Sequence, residues 1–348
     1  MSRVLVAMSG GVDSSVAAAL LVRSGYDVTG VTMKLWDGVS DRGCCSVRDV
    51  EDARRVARRL GIDHYVFNFT EEFENTVVLP YVTEHTLGRT PNPCIDCNRH
   101  LKFGKLLERA RQLGFDKVAT GHYARVIESS PSRFSLYRGV DQEKDQSYVL
   151  SVLTQSQLAY CLFPLGDMTK SQARDIASTL GLCTANKPDS QDVCFITDQE
   201  GREGFLSRRM DLHPGEVVEV ATGRRLGNVP ALELITVGQR KGIVKGADGK
   251  RRYVLRVDIP ARQVLVGQAD EVGVSRIDLT SLSFVEEPVP PGTEVLVQVS
   301  AHGFVTKGCF LGDSVVFEGR HRRVAPGQTV ALYDGSRVLG AGLAKSSP

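Results

Sequence analysis

The stretch Arg3-Val4-Leu5-Val6-Ala7-Met8-Ser9-Gly10-Gly11-Val12-Asp13-Ser14-Ser15 decides how this chain is read. The β-branched, apolar run from Arg3 to Met8 predicts a strand, and the residues from Asp13 to Ser24 predict a helix that follows at once. Gly10 and Gly11 let the backbone between them turn tightly and bring N–H groups up to an anion. The hydroxyls of Ser9, Ser14 and Ser15 and the positive helix N-terminus complete a phosphate cradle, against which Asp13 can hold Mg²⁺. The string has no lysine, and its glycines are spaced differently from G-x-G-x-x-G, so it is neither of the two familiar phosphate loops.

Outward from that loop the alternation continues. Asp27–Lys34 predicts a second strand, Ser46 with Asp49 reads as a capping box opening a helix to Leu60, and His64–Asn68 predicts a third strand. Strands alternating with helices imply a parallel, doubly wound sheet whose ligands bind at the carboxyl ends of the strands. After about residue 200 the character changes. Glu216–Val220, Tyr253–Ile259, Gln263–Gly267, Thr293–Ser300, Ser314–Glu318 and Gln328–Tyr333 are short β-rich segments separated by Gly and Pro, as in small barrels. The expected domains are 1–200, a small basic β-rich middle domain 201–271, and a C-terminal β-barrel domain 272–348, with Pro288, Pro290 and Pro291 marking a long turn.

The totals set the class. With 348 residues, 42% apolar and 24% charged, the chain has the composition of an ordinary folded protein of two or three domains. The run Val4–Met8 is too short for a signal peptide, and nowhere do about 18 apolar residues run uninterrupted, so a cytoplasmic location and no membrane are expected. In that compartment the eight cysteines serve redox chemistry, metal or cluster ligation, or simple burial rather than structural disulfides. The net charge of +2 hides a gradient: Arg202 to Arg262 holds 13 Lys+Arg against 7 Asp+Glu, enough for a modest patch facing a phosphate backbone.

Two cysteine-bearing stretches carry the remaining chemistry. Thr90-Pro91-Asn92-Pro93-Cys94-Ile95-Asp96-Cys97-Asn98 holds a C-x-x-C pair in a turn-rich setting that its prolines should keep extended outside any helix, and Ser190-Gln191-Asp192-Val193-Cys194-Phe195 sets another thiol beside an acid. Replacing a carbonyl oxygen by sulfur requires one cysteine to carry a persulfide and a second to cleave it, leaving a disulfide. No second C-x-x-C or histidine pair follows at zinc spacing, and Cys161, Cys183 and Cys309 read as small buried hydrophobes. For Cys44-Cys45, burial and chemistry are equally open.

The loop Ser9–Ser15 resembles the pyrophosphatase loop of enzymes that split ATP into AMP and pyrophosphate. The whole chain resembles the tRNA-specific 2-thiouridylase family, the bacterial MnmA and mitochondrial TrmU type. The likeness lies in Met8–Ser15, Thr32-Met33-Lys34, Gly43-Cys44-Cys45-Ser46, Thr90–Pro93, Ala119-Thr120-Gly121-His122-Tyr123-Ala124-Arg125, Lys144-Asp145-Gln146-Ser147-Tyr148, Ser190–Ile196 and Gly238-Gln239-Arg240-Lys241-Gly242. The resemblance implies an adenine nucleotide alpha-hydrolase-like ATP-pyrophosphatase domain and an activity that adenylates the 2-carbonyl of a wobble uridine before sulfur is transferred to it. It implies ATP contacts from Ala7, Met8, Ser9, Gly10, Gly11, Val12, Asp13, Ser14, Met33 and Gly121, with Cys97 as the sulfur-releasing nucleophile and Cys194 as the persulfide carrier. Asn92, Pro93 and Cys94 fall where the family meets the target base, and His122, Lys144, Asp145, Gln146 and Gln328 where it contacts tRNA. The implied partners are the anticodon arm of tRNA, a persulfide donor such as a cysteine desulfurase or relay protein, and a thiol reductant.

Two departures from the pattern matter. Cys94 stands where many relatives carry an aspartate taken to move protons, which leaves Asp96 as a substitute if its side chain points inward; Ser300-Ala301 replace basic or aromatic contacts. Three cysteines, Cys94, Cys97 and Cys194, also make a set able to ligate a 4Fe–4S cluster with one open iron. An ammonia-using ATP pyrophosphatase and a non-catalytic tRNA-binding sulfur carrier are the rival readings.

Overall fold

The computed structural model describes residues 1–36, 46–189, 193–197 and 199–345. β1 (Arg3–Ala7) runs through the loop into α1 (Val12–Arg23), followed by β2 (Asp27–Lys34), α2 (Val47–Leu60) and β3 (His64–Asn68). Ser46 caps α2: its Oγ accepts the Asp49 N–H at 3.1 Å and donates to the Asp49 carboxylate at 2.7 Å. Helical segments over 70–86 and 93–112 lead to β4 (Lys117–Ala119). The hairpin β5 (Ala124–Ser130) and β6 (Arg133–Arg138) then leaves this sheet, and β7 (Cys161–Leu162) returns to it. The five-stranded sheet has the order β3-β2-β1-β4-β7 with every pairing parallel.

Both faces of the sheet are covered, which is why β1 reads as an unbroken apolar run. The strand period of two sends Leu5 and Ala7 into a cluster with Val31, Met33, Phe73, Cys97 and Leu101, and Val4, Val6 and Met8 into a second one with Val16, Ala53 and Ala173. From β1 the strand order runs outward to β2 and β3 on one side and to β4 and β7 on the other, so the turns that follow β1 and β4 border the crevice where doubly wound sheets take their ligands.

A four-stranded sheet follows, with β8 (Gly215–Glu219), β9 (Arg225–Val229), β10 (Tyr253–Asp258) and β11 (Gln263–Gly267) in the order β10-β11-β8-β9. The last six strands are β12 (Gly273–Phe284), β13 (Thr293–Gln298), β14 (Thr306–Phe310), β15 (Ser314–Arg322), β16 (Thr329–Asp334) and β17 (Arg337–Ala344). β12 pairs with β15 along its first part and with β17 along its second, shifting register between Thr280 and Ser283, and this bend closes the strands into a barrel.

The hairpin β5–β6 extends the same sheet through β17, with Val338 opposite Leu136 and Arg337 opposite Tyr137. The barrel sheet is therefore built from two parts of the chain more than a hundred residues apart, a pairing that local sequence pattern does not announce. Among the described residues no helix is long and apolar enough to cross a membrane.

Candidate active site

The loop after β1 is built from small residues because there is no room for larger ones. Gly10 has φ +71°, and a Cβ there would lie 2.3 Å from the Asp49 carbonyl oxygen. Gly121, just after β4, packs as closely from the other side, since its Cβ would meet the Ser14 backbone nitrogen at 2.6 Å. Ser14 Oγ accepts the Ser9 N–H at 3.2 Å and donates to the Gly11 carbonyl at 3.3 Å, while Ser15 Oγ donates to the same carbonyl at 2.7 Å. Met8 and Val12 are buried in the core, so what they bring to the loop is backbone, whereas Ser9 is exposed. Met33, at the end of β2, is buried in the cluster that Ala7 also touches.

The cations absent from the loop arrive from far along the chain. Lys187 Nζ donates to the Gly10 carbonyl at 2.8 Å, to Asp49 at 2.6 Å and to Asp52 at 2.8 Å, using all three of its protons to fasten the loop to α2. Lys170 Nζ lies 2.7 and 2.8 Å from the two oxygens of Asp13 and 2.8 Å from Asp189. Asp189 also receives Lys144 at 3.0 Å and Arg174 at 2.9 Å. Burial opposes the charge of Asp189, but the hydrogen bonds from Lys170 and Lys144 outweigh it and hold the carboxyl down at about 2.

Tyr123 donates its hydroxyl to Asp13 at 2.8 Å; burial, then the Asp13 charge, push its ionisation up, so it stays a phenol. Asp13 was expected to hold Mg²⁺, yet an ammonium covers both of its oxygens and a phenol a further lone pair, so the carboxylate as arranged does not fit a metal ion. Tyr123, Lys170, Lys187 and Asp189 are site residues that the sequence reading did not select.

The C-x-x-C pair stands in a helix rather than in an extended stretch. Asn92 is the N-cap, its side-chain oxygen accepting the Cys94 N–H at 3.1 Å, and Pro93 occupies the first turn, where a missing N–H costs nothing. Cys94 is exposed, Cys97 is buried among Met33 and Leu101, and Cys194 is half-buried against that same cluster. Phe195, the neighbour of Cys194, anchors its segment by edge contacts with Phe73 and Tyr81. Cys97, Cys194, Ala7 and Met33 thus share one cluster beneath the carboxyl edge of the sheet.

Among the described residues no three His, Cys, Asp or Glu side chains converge on one metal position. Burial pushes Asp96 up to about 6, with Arg99 pulling it down and Glu84 pushing it further up.

The other expected contacts fall into two groups. Gln328 Nε2 donates to the Thr90 carbonyl at 2.5 Å and the Thr90 N–H to the Pro326 carbonyl at 2.8 Å, so the barrel holds the turn that carries Asn92 and Cys94. Lys144 is bound to Asp189, Gln146 is exposed and accepts the Tyr123 N–H at 3.1 Å, and Asp145 is committed to Arg138, Gly139 and Ser147 within the fold. His122 is buried between Phe103 and Phe163 and hydrogen-bonded to Thr120 at 2.6 Å; burial holds it far below the usual histidine range, and its neutral ring faces the protein interior. Cys44, Cys45 and Ser190 to Asp192 lie outside the described residues.

Three family models match in succession along the chain: the tRNA methyl transferase HUP domain over residues 2–198, the tRNA methyl transferase PRC-barrel domain over 203–268, and the aminomethyltransferase beta-barrel domain over 298–344. A tRNA-specific 2-thiouridylase MnmA of Chloroflexus aggregans is 44% identical over 353 residues, covering 98% of each chain. The chain belongs to the tRNA-specific 2-thiouridylase family. A further member, the tRNA-specific 2-thiouridylase MnmA of Acidothermus cellulolyticus, is 46% identical over 351 residues, 97% of this chain and 96% of that one. A solved 4-thiouridine synthetase–RNA complex with bound ATP matches 56% of this chain and 45% of that one at 16% identity, with a TM-score of 0.36, too slight a likeness to add to the assignment.

Proposed function

We propose that the chain is a tRNA 2-thiouridylase that activates the wobble uracil with ATP and delivers sulfur from a cysteine persulfide. What carries the reading is the coincidence of end-to-end identity to thiouridylases with one cluster that joins Ala7 and Met33 of the nucleotide crevice to Cys97 and Cys194. ATP lies with its phosphates on the Ser9–Ser15 loop, where N–H groups and the α1 N-terminus face them. The exposed Arg240, Lys241, Lys245, Lys250 and Arg251 of the middle sheet region meet the tRNA backbone, and the target base is splayed from its loop into the crevice.

The uracil 2-oxygen attacks the α-phosphorus and pyrophosphate leaves. The terminal sulfur of the Cys194 persulfide adds at C2, AMP departs with the former carbonyl oxygen, and the Cys97 thiolate attacks Cys194 Sγ. The S–S bond to the nucleobase sulfur breaks, the thiocarbonyl is freed, and a Cys97–Cys194 disulfide remains for a dithiol to reduce. We assign proton exchange in this stretch to Asp96, the carboxyl that burial brings to about 6. The exposed Cys94 beside the buried Cys97 favours this two-thiol route over a cluster held by Cys94, Cys97 and Cys194.

Purified chain incubated with ATP, unmodified tRNA and a persulfide donor should yield AMP, pyrophosphate and 2-thiouridine in equal amounts, read by nucleoside mass spectrometry. Cys97→Ser and Cys194→Ser should each abolish 2-thiouridine while tRNA binding stays within about twofold. ATP cleavage with no sulfur incorporated by the intact chain would overturn the reading, and iron at one cluster per chain after anaerobic purification would replace the persulfide route.

A further inference from the structure

The nucleotide loop has an electrostatic shortage that the rest of the molecule makes good. No Lys or Arg lies between Arg3 and Arg23, and the first turn of α1 carries Asp13, whose negative charge opposes an arriving triphosphate. Lys170 is placed to cancel it. Its side chain is only 12% exposed, its ammonium touches both Asp13 oxygens, and Asp189 holds it from the far side. Its backbone is as well fixed as its head. Thr169 and Gln172 form a capping box at the start of the helix Lys170–Thr179, and the Lys170 N–H donates to Asp141 at 2.8 Å.

Lys144 and Arg174 contact Asp189, Lys170 contacts both Asp13 and Asp189, and Asp141 accepts the Lys170 N–H, so three cations offset three carboxylates and the Asp13 charge does not stand uncompensated against phosphate. Lys187 differs in position: it joins the Gly10 carbonyl to the α2 acids behind the loop, whereas Lys170 stands on Asp13 in the first turn of α1.

We propose that Lys170 is the phosphate-neutralising cation of this loop, standing on Asp13 in place of a protein-bound metal ion and following the β- and γ-phosphates as pyrophosphate departs. This rests on the loop being the ATP site. When the uracil oxygen bonds to the α-phosphorus, the bond from that phosphorus to its bridging oxygen breaks and the electron pair goes to pyrophosphate. The growing charge meets the ammonium, and no proton leaves the lysine. Asp189 acts as a positioning residue by keeping the ammonium over the loop when nucleotide is away.

The test uses the full chain and two probes, magnesium pyrophosphate and AMP, titrated by calorimetry into wild type, Lys170→Gln and Lys170→Arg, with melting temperatures recorded alongside. Lys170→Gln should weaken pyrophosphate binding at least about tenfold and leave AMP binding within about twofold, because AMP lacks the phosphates that the lysine meets. Lys170→Arg should recover part of the loss. Equal weakening of both ligands would make Lys170 a purely structural residue, and no weakening of either would remove it from the site; both overturn the proposal. Should wild type form no AMP and pyrophosphate with tRNA present, the functional reading falls. If wild type does so while Lys170→Gln binds pyrophosphate normally, only the role of Lys170 falls.

Discussion

The nucleotide loop and the cysteine turn are held in opposite ways. Ser9 to Ser15 is organised by its own hydroxyls, by the close approach of Gly10 to α2, and by contacts from within the same domain, Lys187 on Gly10 and Lys170 and Tyr123 on Asp13. The turn from Thr90 to Cys97 begins with a local cap at Asn92, but its backbone is tied to the C-terminal barrel through Pro326 and Gln328. On the proposed reading, activation of the base belongs to the parallel sheet, whereas placement of Cys97 depends on how the barrel sits. A change in the first region should strike ATP chemistry, and a change in the second should strike sulfur delivery with ATP chemistry spared.

The largest break should come at Gly10. A side chain there combines a positive φ with a backbone contact at 2.3 Å, so Gly10→Ala must displace either the loop or α2. Steady-state assays should find tRNA-dependent AMP formation reduced by about 100-fold or more, since displacement of a reacting group by about 1 Å has that effect. A variant with normal AMP formation would show that the loop is not where the phosphates lie.

A smaller and more selective effect is expected from the barrel side. Gln328→Ala deletes the bond to the Thr90 carbonyl, worth about 1 kcal/mol, without touching the loop. Single-turnover kinetics should show 2-thiouridine formation slowed by about 3- to 10-fold with the adenylation step unchanged. Equal slowing of both steps would erase the contrast between the two regions.

The smallest expected change concerns Asp96, whose carboxyl is raised from 3.8 to about 6, mainly by burial. The folded state keeps this proton longer than the unfolded chain does, so ionisation costs stability as pH rises from about 4 through about 6, and the cost persists above that. Asp96→Asn should therefore melt about 2–4 °C above wild type at pH 8 and no higher at pH 4, by calorimetry. The same variant should lose any limb near pH 6 in the rate profile of sulfur transfer, and an unchanged limb would remove Asp96 from proton exchange.

How much of this was legible in the sequence follows the range of the contacts. β1, α1, β2, α2 and β3 were readable because strand period, helix period and the Ser46 cap are written in neighbouring residues. At Asn92-Pro93 the prolines suggest extended chain where the structure opens a helix, although an N-cap asparagine followed by proline at the first helical position is itself a start signal. The hairpin β5–β6 and its pairing with β17 escaped, because nothing within the hairpin specifies a partner some two hundred residues away.

The same rule governs the site. Glycines and serines of the loop could be named in advance, while Lys170, with Asp189 behind it, reaches Asp13 only after folding, from positions with no motif of their own. Burial, too, is a tertiary property: His122 and Asp145 stand in motifs that resemble tRNA contacts, yet one lies between two phenylalanines and the other is spent on Arg138 and its neighbours.

The central claim is that a primed uracil and two thiols act in one crevice. Single-turnover reaction of the persulfide-loaded chain with ATP and tRNA, quenched in acid and alkylated before peptide mass spectrometry, tests it most directly. A Cys97–Cys194 disulfide should appear at the rate of 2-thiouridine and in equal amount; 2-thiouridine accumulating while both cysteines remain alkylatable would contradict the account.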